Sequence, residues 1–197
     1  IAQAQRLRAE TADPGAAHRA AEIEATLKRL TRVSERLMQM ARAEGGRLRA
    51  DQAADLRPIL RMVVQDLSRQ LPEGRLELAL PDAPVSSDLD PDAFGIVVRN
   101  LVDNALRHGL PGTAIRVVLA PDGRLAVSNA APVVPPEVLE RLTHRFERAG
   151  ASAEGSGLGL AIVATIAERT GGALRLSSPP PGEDSGFRAE LRLPLVG

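Results

Sequence analysis

The chain has 197 residues, of which 44% are hydrophobic, enough for the core of one ordinary domain and a smaller appended segment. Lysine and arginine together number 25, as do aspartate and glutamate, and this balance argues against a nucleic-acid partner or an anionic membrane surface. The absence of cysteine excludes disulfides, thiolate metal sites and cysteine nucleophiles. No apolar run reaches the roughly 18 residues that a membrane-spanning helix needs.

The first predicted element is a long helix that begins after Asp13 and ends at Gly45 and Gly46. Asp13 is a suitable N-cap, and Pro14 fits the first helical position. Small or apolar residues recur at alternating intervals of four and three, which is typical of a helix that packs on a partner along one seam: Ala16, Ala20, Ile23, Leu27, Leu30, Ser34, Leu37 and Ala41. Residues 1–10 are expected to end an earlier helix, so that residues 1–46 form part of an antiparallel helical hairpin.

The rest of the chain, residues 50–197, has the pattern of a separate domain that mixes helices and strands. In chain order we predict an amphipathic helix over 56–71, a strand over 75–80, a helix over 90–107, strands over 114–119 and 125–129, a short helix from Pro135, a flexible stretch over 150–159, a helix over 160–169 and strands over 173–177 and 187–193. This order, with several hairpin-like links, indicates an α+β fold in which helices pack on one face of a mixed sheet.

Two asparagines, Asn100 and Asn104, lie four residues apart in the helix predicted over 90–107. This spacing places both amides on one face of the helix. Asparagine is a poor helix former, and its amide oxygen is a hard ligand that suits Mg²⁺. Taken alone, the pair is better explained as two amides that face solvent.

A glycine-rich segment, Gly155-Ser156-Gly157-Leu158-Gly159, runs directly into the helix predicted over 160–169. Glycines allow backbone N–H groups to approach an anion, and a helix N-terminus adds partial positive charge, so this junction suits a phosphate group. The segment lacks the preceding strand of a dinucleotide-binding fingerprint and the Lys-Ser/Thr ending of a P-loop. A flexible loop without a ligand is the alternative.

A third candidate is Asn129, at the end of the strand predicted over 125–129. A side chain at a strand end can read the hydrogen-bonding edge of a ligand. Asparagine is also a common turn residue, and without other support that reading of Asn129 is favoured.

Together, these motifs resemble in order and spacing the N, G1, F and G2 boxes of the histidine-kinase ATP-binding domain. The boxes correspond to Asn100-x-x-x-Asn104, Asn129, Arg145-Phe146-Glu147-Arg148 and Gly155-x-Gly-x-Gly159. The resemblance covers residues from about 50 to 197, and the preceding helices resemble the second half of the family's dimerisation hairpin. It implies the Bergerat fold, an α/β sandwich that holds the nucleotide between helices and sheet.

Carried over residue by residue, the resemblance implies that Asn104 is a Mg²⁺ ligand and that Asn100 contacts the phosphates directly or through water. It places Arg107 near the phosphates and His108 beside the adenine, although a histidine at a helix C-terminus can also simply be favoured by the dipole. Phe146 would anchor a lid over residues 135–154. The phosphates would be framed by Gly155, Ser156, Gly157, Leu158 and Gly159.

The chain departs from the family pattern in the G1 box, where Asn129-Ala130-Ala131-Pro132-Val133 replaces Asp-x-Gly-x-Gly. The Asn129 amide can still accept a hydrogen bond from the adenine amino group, but a bond without the carboxylate charge is weaker. The two substituted positions add Cβ atoms where the family has glycine. We interpret the segment as a variant box that still binds nucleotide.

A second departure is the absence of a phosphoacceptor histidine at the family's position, which would precede residues 1–10. His18 lies on the far side of the turn, and His144 lies beside Phe146 in the lid, so neither is expected to be the acceptor. We therefore expect no catalytic residue within this chain, which would hold ATP and Mg²⁺ without completing phosphoryl transfer by itself.

The resemblance implies a sensor histidine kinase of a two-component system, which moves the γ-phosphoryl group of ATP to a hairpin histidine and then to an aspartate on a response regulator. The alternative is a degenerate nucleotide-binding adaptor or phosphotransferase without kinase activity. Implied partners are a second copy of the chain and a receiver domain. The implied location is the cytoplasmic side of the bacterial inner membrane, with any membrane contact made by segments outside this chain.

Overall fold

The computed structural model describes Ala2, Arg6, Thr11, residues 13–143 and residues 157–196. The chain forms two compact units, Ile1–Gln39 and Met40–Gly197. The predicted helix end over residues 1–10 lies outside the described residues except at Ala2 and Arg6, which are both helical.

Helix α1 spans Pro14–Gly45, so it contains most of the described residues of the first unit and the first residues of the second. Its predicted start is confirmed, because the Asp13 carboxylate accepts a hydrogen bond from the Gly15 N–H at 2.8 Å. The predicted seam carries large apolar side chains that are between 36% and 57% exposed: Ile23, Leu27, Leu30 and Leu37. The large apolar side chains of the seam are therefore open to solvent, whereas Ala20 is buried.

The second unit contains the remaining elements. They are β1 (Arg49–Asp55), α2 (Leu56–Ser68), β2 (Leu76–Ala79), β3 (Ser86–Leu89), α3 (Pro91–His108), β4 (Ile115–Leu119), β5 (Arg124–Asn129), α4 (Pro136–Leu139), α5 (Gly159–Arg169), β6 (Ala173–Ser177) and β7 (Phe187–Arg192). The main sheet has the strand order β2-β4-β5-β7-β6, with β2 parallel to β4 and every other pair antiparallel. The predicted mixed sheet is confirmed.

One face of this sheet is buried under the helices. In the paired strands β4 and β5, Val117 lies opposite Val127 and Leu119 lies opposite Leu125, and all four side chains are buried. Helices α3 and α5 pack against each other and against strands of this sheet. On the other face the alternating residues include exposed polar side chains such as Arg116. The sequence thus forms two layers with one apolar core between them.

A second, two-stranded sheet pairs β1 with β3, and neither strand was expected from the sequence. Helix α2 follows β1 directly and ends at Ser68, three residues earlier than predicted, so that Leu71 lies in the turn that follows it. Within the described residues, no helix is both long and apolar enough to cross a bilayer.

Two helices of this unit begin at aspartate caps. Asp55 Oδ1 accepts hydrogen bonds from the N–H groups of Arg57 at 3.1 Å and Val85 at 3.2 Å, so it caps α2 and also fixes the chain just before β3. Asp90 accepts from the Ala93 N–H at 3.0 Å and starts α3, as predicted.

The end of α1 belongs to the second unit and is bonded to it through α5. Arg169, the last residue of α5, donates hydrogen bonds to the carbonyl oxygens of Ala43 at 2.6 Å and Gly46 at 3.2 Å. Met40, Ala43 and Leu48 are buried within the same apolar core as the sheet. The two units therefore divide inside α1, before the Gly45-Gly46 boundary expected from the sequence.

Candidate functional site

The strand register directs the Asn129 side chain toward the helix-covered face of the sheet. Asn129 is the last residue of β5 and lies between Ile115 of β4 and Phe187 of β7, whose side chains are both buried. Asn129 itself is 6% exposed. A polar side chain is thus placed among apolar neighbours at the end of a central strand.

The Asn129 amide is oriented by its own backbone. Its Nδ2 atom donates to the carbonyl oxygen of Ala130 at 3.1 Å, which leaves the Oδ1 atom as the available acceptor. No group in the described part of the chain donates a hydrogen bond to Oδ1. Gly109 lies against this amide, because a Cβ atom at Gly109 would come within 3.0 Å of Nδ2. The site therefore presents a fixed acceptor that suits an amino group on a planar ligand.

The segment that follows Asn129 is held from two sides. On the side of α3, the Leu110 N–H donates to the Ala130 carbonyl at 2.8 Å. On the side of the β6–β7 loop, the Gly186 N–H donates to the Ala131 carbonyl at 2.8 Å, and the Val134 N–H donates to Ser178 Oγ at 2.9 Å. Ala131 is buried, so the Cβ that replaces a glycine hydrogen fits inside the protein.

Helix α3 carries the two asparagines of the predicted pair. Asn100 is buried, and its Nδ2 atom donates to the Ile96 carbonyl one turn earlier at 2.8 Å. Asn104 is half-buried and makes no side-chain hydrogen bond to any described residue. An amide that is partly removed from water and lacks such a partner costs stability unless water or a ligand satisfies it. Its oxygen is also a donor atom suited to Mg²⁺.

Arg107 and His108 form the last turn of α3. Burial lowers the pKa of His108 below its usual value of 6.5, and the positive charge of Arg107 lowers it further. Both causes disfavour the charged imidazolium, and burial is the larger of the two. His108 is consequently neutral at pH 7 and can lie against an uncharged ring without burying a charge.

The N-terminus of α5 differs from those of α2 and α3, because no side chain of the described residues caps it. Its N-cap position is Leu158, which is buried and makes no side-chain hydrogen bond, and no acidic residue stands in the first turn. Gly157 precedes it with φ at +65°, a conformation that favours glycine. Uncapped first-turn N–H groups need an acceptor, and an anion such as phosphate supplies one.

Several predicted site residues lie outside the described part of the chain. These are Phe146, Gly155 and Ser156, together with the neighbouring His144. Of the lid expected over 135–154, the described portion contains α4 and ends at residue 143. The structure brings Asn129 and the exit of α3 together through Gly109 and Leu110. Sequence reasoning did not identify these contacts, nor those of Ser178 and Gly186.

Residues 89–197 match the family described as "Histidine kinase-, DNA gyrase B-, and HSP90-like ATPase". The chain is 31% identical over 187 residues to "Sensor histidine kinase TrcS" of Mycobacterium tuberculosis, which covers 89% of the chain and 36% of that protein. It is 30% identical over 184 residues to "Sensor protein QseC" of Escherichia coli K12, covering 91% of the chain and 40% of that protein.

Solved structures show the same likeness. "Mycobacterial sensor histidine kinase MprB" superposes with a TM-score of 0.61 at 28% identity, covering 73% of this chain and 97% of that one. The chain spans between 36% and 40% of the length of the two curated relatives above.

Proposed function

Because the chain belongs to the histidine kinase-, DNA gyrase B- and HSP90-like ATPase family and contains the catalytic domain of a bacterial sensor histidine kinase, we propose that it binds Mg-ATP. This ATP serves as the phosphoryl donor of a two-component system. The γ-phosphoryl group is transferred to a histidine of the dimerisation hairpin and relayed to an aspartate of a response regulator. One observation carries this proposal: Asn104 is half-buried without a hydrogen-bond partner among the described residues, on the helix whose exit contacts Asn129.

The adenine end of the proposed site is the Asn129 acceptor. An adenine amino group donates to Oδ1, which has no donor among the described residues, while the Nδ2 contact to Ala130 keeps the amide in this orientation. The neutral imidazole of His108 lies beside the ring. These contacts orient the base and add no chemistry of their own.

The phosphate end of the proposed site combines two kinds of group. The N-terminus of α5, from Gly157 to Gly159, offers backbone N–H groups to the phosphate oxygens, with Arg107 as a nearby positive charge. Asn104 is the residue that would hold Mg²⁺, and the metal would neutralise charge on the β- and γ-phosphates. Mg²⁺ usually takes few ligands from the protein, so the nucleotide phosphates and water would supply others.

In the proposed kinase, the helical hairpin carries the acceptor histidine and forms the contact with the partner subunit. We propose that residues 1–46 are its second half and that residues 50–197 are the catalytic domain, on the cytoplasmic side of the inner membrane. His18 is exposed on α1 and lies 3.6 Å from Glu22, a local pair on the surface of that helix. We propose no acceptor among the histidines of this chain, and the part of catalysis that its residues perform consists of positioning and charge neutralisation.

The test is calorimetric titration of this chain with ATP, with and without Mg²⁺, followed by phosphorylation of a longer protein that includes the acceptor histidine. We expect saturable binding that Mg²⁺ strengthens, and acid-labile phosphate on the acceptor. Binding without phosphoryl transfer would instead establish the adaptor alternative. Failure to saturate even at high ATP concentration would contradict both.

A further inference from the structure

The β6–β7 loop reaches the segment that follows Asn129 through a single hydroxyl group. Ser178 Oγ accepts a hydrogen bond from the Val134 N–H at 2.9 Å and donates one to the Gly186 carbonyl at 2.7 Å. The Gly186 N–H donates in turn to the Ala131 carbonyl at 2.8 Å. The hydroxyl and Gly186 thus connect both ends of the segment Ala131–Val134 to the same loop.

The Gly186 end of this connection touches Asn129 directly. A Cβ atom at Gly186 would come within 3.1 Å of the Asn129 backbone oxygen, and the φ angle of Gly186 is +106°. Its neighbour Phe187 pairs with Asn129 in the β5–β7 register. A shift of Gly186 therefore moves the backbone that carries the Asn129 amide.

We propose that Ser178 is a positioning residue for base recognition, which acts through Gly186 and Val134 to hold Asn129 Oδ1 in place as the acceptor for the 6-amino group of a purine nucleotide. This inference rests on the proposed nucleotide site and adds the residue that sets its base selectivity. Ala131 and Val133, which stand where the family pattern has glycine, fit this arrangement, because a segment fixed by three hydrogen bonds from outside does not need the conformational freedom of glycine.

The experiment compares ATP with inosine triphosphate, which carries the same phosphates but has a carbonyl oxygen in place of the 6-amino group. Dissociation constants for both Mg²⁺ complexes are measured on this chain, unaltered and as Ser178→Ala, Ser178→Thr and Ser185→Ala. Ser185 is the matched control, since it is exposed in the same loop and makes no side-chain hydrogen bond within the described residues.

We expect the unaltered chain to prefer ATP and Ser178→Ala to lose about three- to tenfold in ATP affinity, on the scale of one misplaced hydrogen bond. The affinity of Ser178→Ala for inosine triphosphate should stay unchanged, so its preference for ATP over inosine triphosphate becomes smaller. Ser178→Thr, which keeps the hydroxyl, and Ser185→Ala should keep the full preference. A general loosening of the fold would instead weaken the binding of both nucleotides by the same factor. That result would overturn the role of Ser178 in selectivity.

The failures are separable. If the unaltered chain binds neither nucleotide, the proposed function falls and this inference falls with it. If it binds ATP and prefers it, but Ser178→Ala keeps that preference or Ser178→Thr loses it as Ser178→Ala does, the nucleotide site stands and the role of Ser178 is overturned. Equal affinity of the unaltered chain for both nucleotides would likewise overturn it, because no acceptor would then read the 6-amino group.

Discussion

At position 129 an amide stands where the family pattern has a carboxylate, and the difference has two opposing effects. A carboxylate would accept a charge-assisted hydrogen bond from the adenine amino group, which is stronger than the bond to a neutral amide. However, the Nδ2 atom of Asn129 donates to the Ala130 carbonyl, and a carboxylate oxygen in that place would face another oxygen. A carboxylate at position 129 is therefore expected to strengthen ATP binding and to destabilise the fold.

We predict that Asn129→Asp keeps or tightens ATP binding while lowering the free energy of unfolding by about 1 kcal/mol, the scale of one lost hydrogen bond. Calorimetry and thermal unfolding measure the two quantities on one sample. Asn129→Ala is the control, because it removes the acceptor and should weaken ATP binding without adding a charge. Loss of all binding in a folded Asn129→Asp protein would show that the adenine site is not at Asn129.

A second prediction concerns Asn104. Asn104→Ala should weaken Mg-ATP binding by about 1–3 kcal/mol, on the scale of a lost contact to a charged group, and should leave adenosine binding nearly unchanged. The melting temperature should not fall, because alanine is the better helix former and Asn104 makes no side-chain hydrogen bond to a described residue.

Phosphoryl transfer in a longer protein provides the decisive readout for Asn104. It should fall much further than affinity does, because the metal ligand also helps to place the γ-phosphoryl group for in-line attack. Asn104→Asp, which keeps an oxygen ligand, is the conservative comparison. An unchanged rate of phosphorylation in Asn104→Ala would defeat the assignment of this residue as a metal ligand.

The candidate site residues that could be proposed from sequence are those whose position on a helix or strand follows from its periodicity. Asn100, Asn104 and Asn129 lie in regular elements, so helix and strand periodicity was enough to orient them. The contacts that hold the Asn129 segment come from Leu110, Ser178 and Gly186, which lie outside the regular elements. No periodic pattern marks such positions, since backbone hydrogen bonds between loops leave no trace in residue type beyond an occasional glycine.

Among the secondary-structure elements, α2 depends strongly on one capping side chain. Hydrogen bonds from the Arg57 side chain lower the pKa of Asp55 from its usual value of 3.8 to about 2, against an opposing effect of burial, and the backbone N–H groups of Arg57 and Val85 add to this. The Arg57 guanidinium lies 2.8 Å from Asp55 and also reaches the Asp82 carbonyl. One carboxylate thus connects the start of α2 to the chain before β3.

We predict that Asp55→Ala lowers the free energy of unfolding by about 1–2 kcal/mol at pH 7, the usual effect of losing an N-cap. The exposed Asp184 provides the control, since Asp184→Ala should have little effect. Chemical denaturation of both variants measures the difference. Equal stability of Asp55→Ala and the unaltered chain would show that the cap and the ion pair contribute nothing net.

The charge-dependent part of this contribution is isolated by Asp55→Asn, which keeps an oxygen for the cap. Because the folded state lowers the pKa of Asp55, the unfolded state binds more protons on acidification, and the ion pair stabilises the fold fully only above about pH 4. The stability gap between Asp55→Asn and the unaltered chain should therefore close as the pH falls from about 4 to about 2. A gap independent of pH would contradict the assigned cause.

The helices and the five main strands could be predicted from sequence because caps, apolar periodicity and turn residues agree there. Strands β1 and β3 could not. The sequence of β1, Arg-Ala-Asp-Gln-Ala-Ala-Asp, has no β-branched or aromatic residue, and β3 has only four residues. Their pairing joins Arg49 with Leu89 across a register shift, so it depends on tertiary context that local propensity does not contain.

At the scale of the whole molecule, the open seam of α1 predicts association. Ile23, Leu27, Leu30 and Leu37 are exposed in the single chain, and a matching seam on a second copy would bury them in a helical bundle. We expect light scattering to show a concentration-dependent homodimer, which Leu30→Asp shifts toward monomer.

The matched control for dimerisation is Arg32→Glu, which changes charge on the face of α1 opposite the seam and should leave the dimer intact. A strict monomer at high concentration, or equal dissociation of both variants, would contradict association through this seam.

The two ends of α5 have different roles, one at the proposed phosphate site and the other at the end of α1. Its first-turn N–H groups are the ones that would bind the proposed phosphates, and its last residue, Arg169, donates to the carbonyl oxygens of Ala43 and Gly46 at the end of α1. The helix between them has 11 residues and spans about 16 Å, too short to bend appreciably. We expect it to move as one body, so that a displacement of its first turn on anion binding would also shift Arg169 and the carbonyl groups to which Arg169 donates.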